Sequence, residues 1–237
     1  MPLHSKTTVA DYIWCHSRFL HSCLVQCEEL YRHNMGFSCV TVLFNCLENV
    51  SRSAINDYTS KLWDVFSFLY EKKYITLKEY EFLNMGNSCL RKIRNLYAHK
   101  NVASIYFIEP CSEGEYLWPL TENETSLMLY NKISDIVFNL MVKIVSINFI
   151  DTVKARFQIS LDSSIDECHL KYKILSAKEL LVLKGYPEDY IPDDLDIPED
   201  AKLRMVDCAP DLNMNLPIYS ALVDFLQNEG TNSTNES

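Results

Sequence analysis

The chain has 237 residues, of which 48% are hydrophobic and 12% aromatic, so it can bury a sizeable core and form one large domain or a domain with an appendage. Its five glycines are too few to favour an all-β fold rich in tight turns, and neither GxGxxG nor GxxxxGK[ST] is present to cradle a phosphate. A net charge of −10 argues against a general nucleic-acid-binding surface, so any RNA contact must use a local basic patch.

The cysteines and the amino terminus indicate the compartment. There are nine cysteines and no CxxC pair, a pattern typical of reduced thiols in a cytosolic protein that supports neither a zinc ribbon nor a redox motif. The amino terminus lacks the apolar core of a secretion signal, and no run of about 18 uncharged apolar residues occurs. We therefore expect a cytoplasmic protein with no membrane span, no metal and no cofactor.

Apolar residues recur at helical spacing through the first part of the chain. Helices are predicted from about Thr7 to Arg32, Phe37 to Ala54, Asn56 to Lys72 and Leu77 to His99. Trp63 belongs to the apolar set of the third helix, which is more typical of a core position than of a ligand site. Thr76 and Glu79 form a predicted capping box at the start of the fourth helix, and Gly86 is expected to kink or split that helix.

After the fourth helix the pattern changes. Residues 102–108 and 115–120 have a β-like composition around a turn-rich segment, which predicts a short hairpin or an irregular excursion. A fifth helix, nearly continuous, is predicted from about Glu122 to Phe157. The predicted fold class is all-α: an up-down bundle of four or five helices with a short β-like excursion and a small, mostly irregular or helical carboxy-terminal appendage.

The appendage is recognised by its composition. Between Asp162 and Asp200 there are eleven acidic residues and four lysines, and prolines interrupt the sequence. We predict a helical bundle over residues 5–157, an acidic carboxy-terminal appendage over residues 158–229, and a disordered tail over residues 230–237.

Basic residues concentrate in one segment, Arg91–Asn101, with the sequence R-K-I-R-N-L-Y-A-H-K-N. Arg94 and His99 lie near the predicted end of the fourth helix, and Asn95 follows the arginine. Five positions turn through roughly 140° on an ideal helix, so a modest unwinding would let both side chains line one pocket. A fixed cation beside a group that titrates near neutrality suits binding and cleaving a phosphodiester.

This segment resembles the signature of the HEPN superfamily, helical nucleotide-binding and RNase domains whose hallmark is R-x4-6-H, commonly with a polar residue after the arginine. The resemblance covers residues 5–157 and places the motif late in an antiparallel bundle, as the family has it. It implies a metal-independent endoribonuclease that cleaves RNA by attack of the ribose 2′-hydroxyl. It also implies a homodimer in which two motifs face each other, and a toxin or anti-phage defence effector restrained by an antitoxin or other regulatory partner.

The resemblance assigns a role to each residue of the motif. His99 would act as general acid or base, Arg94 would hold the non-bridging phosphate oxygens, and Asn95 would orient the phosphate or the histidine. Contacts to RNA would come from Arg91, Lys92 and Lys100. For the two lysines, stabilisation of the helix carboxy terminus is an equal alternative, because cations there complement the helix dipole.

A second hypothesis is a non-catalytic HEPN-like module that binds nucleotides or acts as a scaffold or regulator. In that case His99 caps the helix and Arg94 pairs with an acid on a neighbouring helix. Exposure of both side chains in a shared cleft would favour chemistry, whereas burial in ion pairs would favour structure. Lys100-Asn101 after the histidine, where some family members have x-Tyr, argues against the modification-regulated toxin–antitoxin subtype.

A second, local resemblance lies in the appendage. Residues 175–190 are similar to the L-[ST]-x-x-E-x-x-x-L-x-G-[FY]-P-x-x-[FY] segment near the carboxy end of DNA cytosine-5 methyltransferases, but the cofactor loop and catalytic Pro-Cys of that family are absent. The favoured interpretation is a helix capped by Ser176 and Glu179 and ended by Gly185; the alternative is a borrowed DNA-side or partner-docking element.

Overall fold

A computed structural model describes residues 3–99, 102–111 and 114–197, so Lys100, the predicted disordered tail and the rest of the chain beyond residue 197 lie outside the described residues. The helices are α1 (Lys6–His16), α2 (Arg18–Arg32), α3 (Gly36–Ile55), α4 (Leu62–Glu71), α5 (Leu77–Asn84), α6 (Leu90–His99), α7 (Asn123–Val145), α8 (Asp151–Lys154), α9 (Asp162–Glu167) and α10 (Ala177–Leu183). The strands are β1 (Ile105–Cys111), β2 (Gly114–Pro119) and β3 (Tyr172–Ile174). Within these ranges no helix is both long enough and apolar enough to cross a membrane.

The predicted all-α class is confirmed: a helical bundle surrounds α3 and α7, with a small antiparallel sheet at one side. α3 and α7 come very close at their amino-terminal ends. A side chain added at Gly36 would place its Cβ 2.4 Å from the carbonyl oxygen of Asn123, and the Gly36 N–H donates to the Asn123 side chain at 2.7 Å. Only glycine allows this approach, which fixes the axis around which the other helices pack.

The first predicted helix is in fact two helices, because Ser17 interrupts it. Ser17 has an extended backbone (φ −156°, ψ 120°), ends α1, and accepts a hydrogen bond from the Leu20 N–H as the amino-terminal cap of α2. A serine hydroxyl competes well for free backbone N–H groups at a helix start, so it stabilises the break. The apolar periodicity continued across the break and concealed it.

The third and fourth predicted helices are also shorter than expected. Asn56 is left-handed (φ 55°) and ends α3, so the next helix begins at Leu62 and not near Asn56. Gly86, with φ +81°, lies between α5 and α6 and separates them, which confirms the predicted split. The capping box of Thr76 and Glu79 is present at the start of α5.

The long fifth helix ends at Val145, twelve residues before the predicted end at Phe157. A short 3-10 turn and α8 follow, and Phe157 is buried in the main core. The predicted hairpin is confirmed as β1 paired with β2, and β3 adds to the other edge of β1 in a strand order β2-β1-β3. The strand β3 was not predicted.

The appendage packs partly on the bundle and partly on itself. Ile159, Leu161 and Cys168 belong to the main core. A second, smaller cluster joins α10 to Tyr106 of β1; its other members are Leu175, Ala177, Leu180, Leu181, Ile191 and Leu195. The predicted capping box of Ser176 and Glu179 opens α10.

A buried ion pair connects α5 to α7. The Lys143 ammonium lies 2.7 Å and 2.9 Å from the two carboxylate oxygens of Glu79 and donates to the Ile159 carbonyl at 3.0 Å. Glu79 also accepts from the Thr76 N–H at 2.9 Å. The side chains are 0% exposed for Glu79 and 6% for Lys143. Several hydrogen bonds to each group offset the cost of burying the charges.

Candidate functional site

The helix α6 that contains the motif is strongly two-sided. Leu90, Ile93, Leu96 and Tyr97 are buried, as predicted. The Tyr97 ring stacks on Phe37 of α3, with centroids 5.2 Å apart, and its hydroxyl lies 3.1 Å from that of Ser126 in α7. Burial raises the pKa of this phenol, so it stays protonated. Because Tyr97 anchors the last turns of α6 between α3 and α7, the polar face of α6 lies beside α3 at the surface.

Arg94 is held by the acid of a neighbouring helix. Its Nη2 lies 2.6 Å from Oε2 of Glu48 in α3, and its Nη1 donates to Oδ1 of Asn95 at 3.2 Å. The side chains of Arg94 and Glu48 are 26% and 17% exposed, respectively. The structure therefore brings Arg94 and Asn95 together at a partly open surface and adds a carboxylate that the sequence analysis did not assign.

Glu48 binds a second guanidinium. Its Oε1 lies 3.1 Å from Nε and 3.0 Å from Nη2 of Arg52, one turn further along α3. Arg52 also donates from Nη1 to the carbonyl of Ser60 at 2.6 Å. We call Glu48, Arg52 and Arg94 the Glu48 cluster. It carries two positive charges and one negative charge, so it is net cationic.

The cluster has the chemistry of an anion site. The bonds of Arg94 to Glu48 and Asn95 use two of the five N–H groups of its guanidinium. The Glu48 carboxylate binds one side of the Arg94 guanidinium and so orients its other N–H groups for a phosphate. Guanidinium donors match phosphate oxygens in pairs. The net positive charge favours that phosphate, and partial burial strengthens the attraction relative to open water.

The predicted RNA-binding residues have separate surroundings. The Arg91 guanidinium donates to the side chain of Asn84 (2.7 Å) and lies over the Trp63 ring, 4.8 Å from its centroid. The Lys92 ammonium lies 3.3 Å from Oδ1 of Asn87. Lys100 is outside the described residues.

His99 is the last residue of α6. Its side chain lies outside the described part of the structure, so the relation between Arg94 and the histidine rests on their spacing along the helix. The catalytic assignment of Arg94, Asn95 and His99 therefore stays a prediction.

Sequence reasoning missed three residues of this surface. Glu48 and Arg52 are four positions apart on one helix, a spacing that indicates an ion pair, but nothing in the sequence showed that Arg94 would meet them. Trp63 was expected in the core, yet the residue is 42% exposed. Its ring meets the guanidinium of Arg91.

Comparison of the chain with family models, with curated proteins and with solved structures finds no match. Among residues 3–99, 102–111 and 114–197, no three or more His, Cys, Asp and Glu side chains are grouped so that they could hold a metal ion.

Proposed function

We propose that this chain is a metal-independent endoribonuclease of the HEPN type. The observation that best supports the proposal is the Glu48 cluster: the motif arginine is oriented by a carboxylate, is adjacent to the motif asparagine, and belongs to a net cationic, partly exposed group. This local positive charge occurs on a chain whose overall charge is −10, so a polyanion would be directed to a small area.

The proposed reaction is a transesterification within the RNA. The ribose 2′-oxygen forms a bond to phosphorus while the bond from phosphorus to the 5′-oxygen breaks, which leaves a 2′,3′-cyclic phosphate. The 2′-hydroxyl gives up its proton and the departing 5′-oxygen receives one. His99 serves one of these transfers, since an imidazole exchanges protons near neutral pH. Arg94 stabilises the charge that grows on the non-bridging oxygens, and Asn95 supports its orientation.

Two proton transfers and one motif histidine per chain suggest that two copies act together. A homodimer with facing motifs would supply a second His99, as the HEPN resemblance implies. The same resemblance is the basis for the biological part of the proposal, a toxin or anti-phage effector that an antitoxin or other regulatory protein restrains.

The test is cleavage of a mixed RNA pool in excess EDTA by the wild type, by His99→Ala and by Arg94→Ala. Cleavage that leaves cyclic-phosphate ends and is lost in both variants is the expected result. Equal cleavage by all three proteins would contradict the proposal, because the motif would then not perform the reaction.

The second candidate is a non-catalytic HEPN-like nucleotide-binding or scaffolding module. One observation favours it: Arg94 pairs with an acid on a neighbouring helix, as that hypothesis predicts. Its expected result is RNA or nucleotide binding by the purified chain, with no cleavage by the wild type over the same incubation.

A further inference from the structure

A cation–π contact between Arg91 and Trp63 lies beside the Glu48 cluster. The guanidinium of Arg91 lies over the Trp63 ring, and both residues are joined by the side chain of Asn84. Asn84 accepts from Nε of Arg91 at 2.7 Å through Oδ1 and donates to the Trp63 carbonyl at 3.1 Å through Nδ2. Asn84 is fully buried, so water does not compete for this bridge. It holds the Arg91 side chain beside Trp63, a residue that is 42% exposed.

The two arrangements form one continuous surface. Arg91 and Arg94 are three positions apart on α6 and are therefore neighbours on the helix surface. From Arg94 the contacts continue to Glu48, to Arg52 and to the Ser60 carbonyl. Ser60 lies two residues before α4, whose second residue is Trp63. Trp63 thus lies beside a surface with three arginines and one acid.

An acidic groove bounds this surface on another side of α4. Asp57, Asp64 and Glu71 line it together with Ser60 and Phe68. A polyanion that approaches α4 is therefore repelled on that side and attracted on the side of Arg91. The charges favour one face of α4, the face on which Trp63 meets Arg91.

We propose that Trp63, fixed beside Arg91 by Asn84, is a stacking platform for an unpaired nucleobase of the RNA whose phosphate contacts Arg94. This proposal rests on the proposed function, because it takes RNA as the ligand of Arg94. Because the Arg91 guanidinium covers one face of the Trp63 ring, the base would stack on the other face, and neighbouring arginines would hold the backbone phosphates. The bases of an A-form duplex are stacked on each other and cannot use the ring.

The chain contains a matched control for this platform. Trp14 is 47% exposed and also has an arginine over its ring, Arg18, at 5.2 Å from the centroid. It lies at the α1–α2 junction against His21, with the ring centroids 4.9 Å apart. The two tryptophans therefore share exposure and a guanidinium neighbour, but only Trp63 adjoins the Glu48 cluster.

The experiment measures binding of a short, fluorescently labelled 2′-O-methyl RNA of mixed sequence by fluorescence anisotropy. The methyl group blocks the attacking hydroxyl, so binding is measured without cleavage. Trp63→Ala should weaken binding about tenfold, the effect of losing one stacked base. Trp14→Ala should change it less than about twofold, and Trp63→Phe, which retains a ring, should lose less than Trp63→Ala. Annealing the RNA to its complement should remove the dependence on Trp63.

Trp63→Leu keeps an apolar side chain on α4 and loses the aromatic face, so it should weaken binding like Trp63→Ala, with a thermal unfolding midpoint close to that of the wild type. Equal affinity of the wild type, Trp63→Ala and Trp63→Leu would overturn the platform, and so would equal losses in Trp63→Ala and Trp14→Ala. Either result leaves the cleavage assay with His99→Ala and Arg94→Ala unaffected. Conversely, a binding loss confined to Trp63 in a protein that cleaves nothing would support the platform and contradict the nuclease.

Discussion

Two ion pairs that involve a glutamate differ in their exposure to solvent, and therefore in whether they can bind a ligand. Glu79 and Lys143 are buried between α5 and α7, and the carboxylate and the ammonium both make further bonds inside the protein. Glu48 and Arg94 lie at the edge of the bundle, where one carboxylate serves two guanidiniums and both residues remain partly exposed. A buried pair can only stabilise or destabilise the fold, whereas the partly exposed and net cationic Glu48 cluster can also bind an anion.

The comparison separates two kinds of measurement. Changes in the buried pair should alter the free energy of unfolding, because loss of one partner leaves a charge in a low-dielectric interior. Changes in the Glu48 cluster should alter RNA cleavage and should alter stability less than changes in the buried pair, because these side chains remain partly solvated.

The largest expected effect is that of Lys143→Met, which leaves the Glu79 carboxylate buried without its cation. We expect the free energy of unfolding to fall by about 3–5 kcal/mol, measured by urea denaturation. The double variant Lys143→Met/Glu79→Gln should recover much of this loss, because glutamine removes the charge and can still complete the capping box with Thr76. A loss below about 1 kcal/mol for the single variant would show that the pair is not structurally important.

Arg94→Lys tests the partly exposed pair of Arg94 and Glu48. Lysine keeps the charge and can still pair with Glu48, so stability should change by less than about 1 kcal/mol. The planar fork is lost, and we expect RNA cleavage to fall about a hundredfold, as when one transition-state donor is removed. Arg32→Lys, at an exposed arginine paired with Glu29, is the control and should cleave like the wild type. Full activity of Arg94→Lys would mean that any cation suffices at this position.

A smaller effect is expected for Glu48→Gln, which removes the carboxylate charge that orients Arg94. The net charge of the Glu48 cluster rises from one to two, so RNA should bind more tightly and KM should fall. Arg94 loses its ionic tether, and we expect kcat to decrease about tenfold through misplacement. Glu29→Gln, at an exposed acid of α2, controls for the change in total charge. An unchanged kcat in Glu48→Gln would show that Glu48 does not position Arg94 for the reaction.

The smallest effect concerns a half-buried polar contact, in which His16 lies 2.8 Å from the Ser53 hydroxyl. Burial lowers the pKa of His16 below its ordinary value of 6.5. Between the lowered folded pKa and the unfolded pKa, the unfolded chain binds more protons at this site, so stability should fall as the pH falls through that window. His16→Gln should reduce this pH dependence in urea titrations, and an unchanged slope would contradict the assignment.

Local signals predicted much of the fold and only part of the site. Both capping boxes and the break at Gly86 were predicted because each depends on residues at most four positions apart. The strand β3 was not, since three residues form a strand only when a distant edge is available. The contact between Glu48 and Arg94 joins residues 46 positions apart, so no local pattern could reveal it.

Trp63 shows the same limit at a single residue. Periodicity placed it with the apolar residues of α4, but a tryptophan next to a buried stripe can point either way. The guanidinium that lies over its ring belongs to Arg91 on another helix, a contact that no local pattern shows.

The pairing of β3 with β1 limits where the chain can be truncated. Ile105, Tyr106 and Phe107 pair with Tyr172–Ile174, and the flanking bonds from Leu175 to Ser104 and from Ile108 to Lys171 extend the ladder. A fragment cut after Phe157 would expose an apolar strand edge with unpaired N–H and C=O groups, a template for self-association. We therefore expect the acidic segment to protect the bundle against edge-to-edge aggregation, and a soluble fragment to extend at least through Leu175.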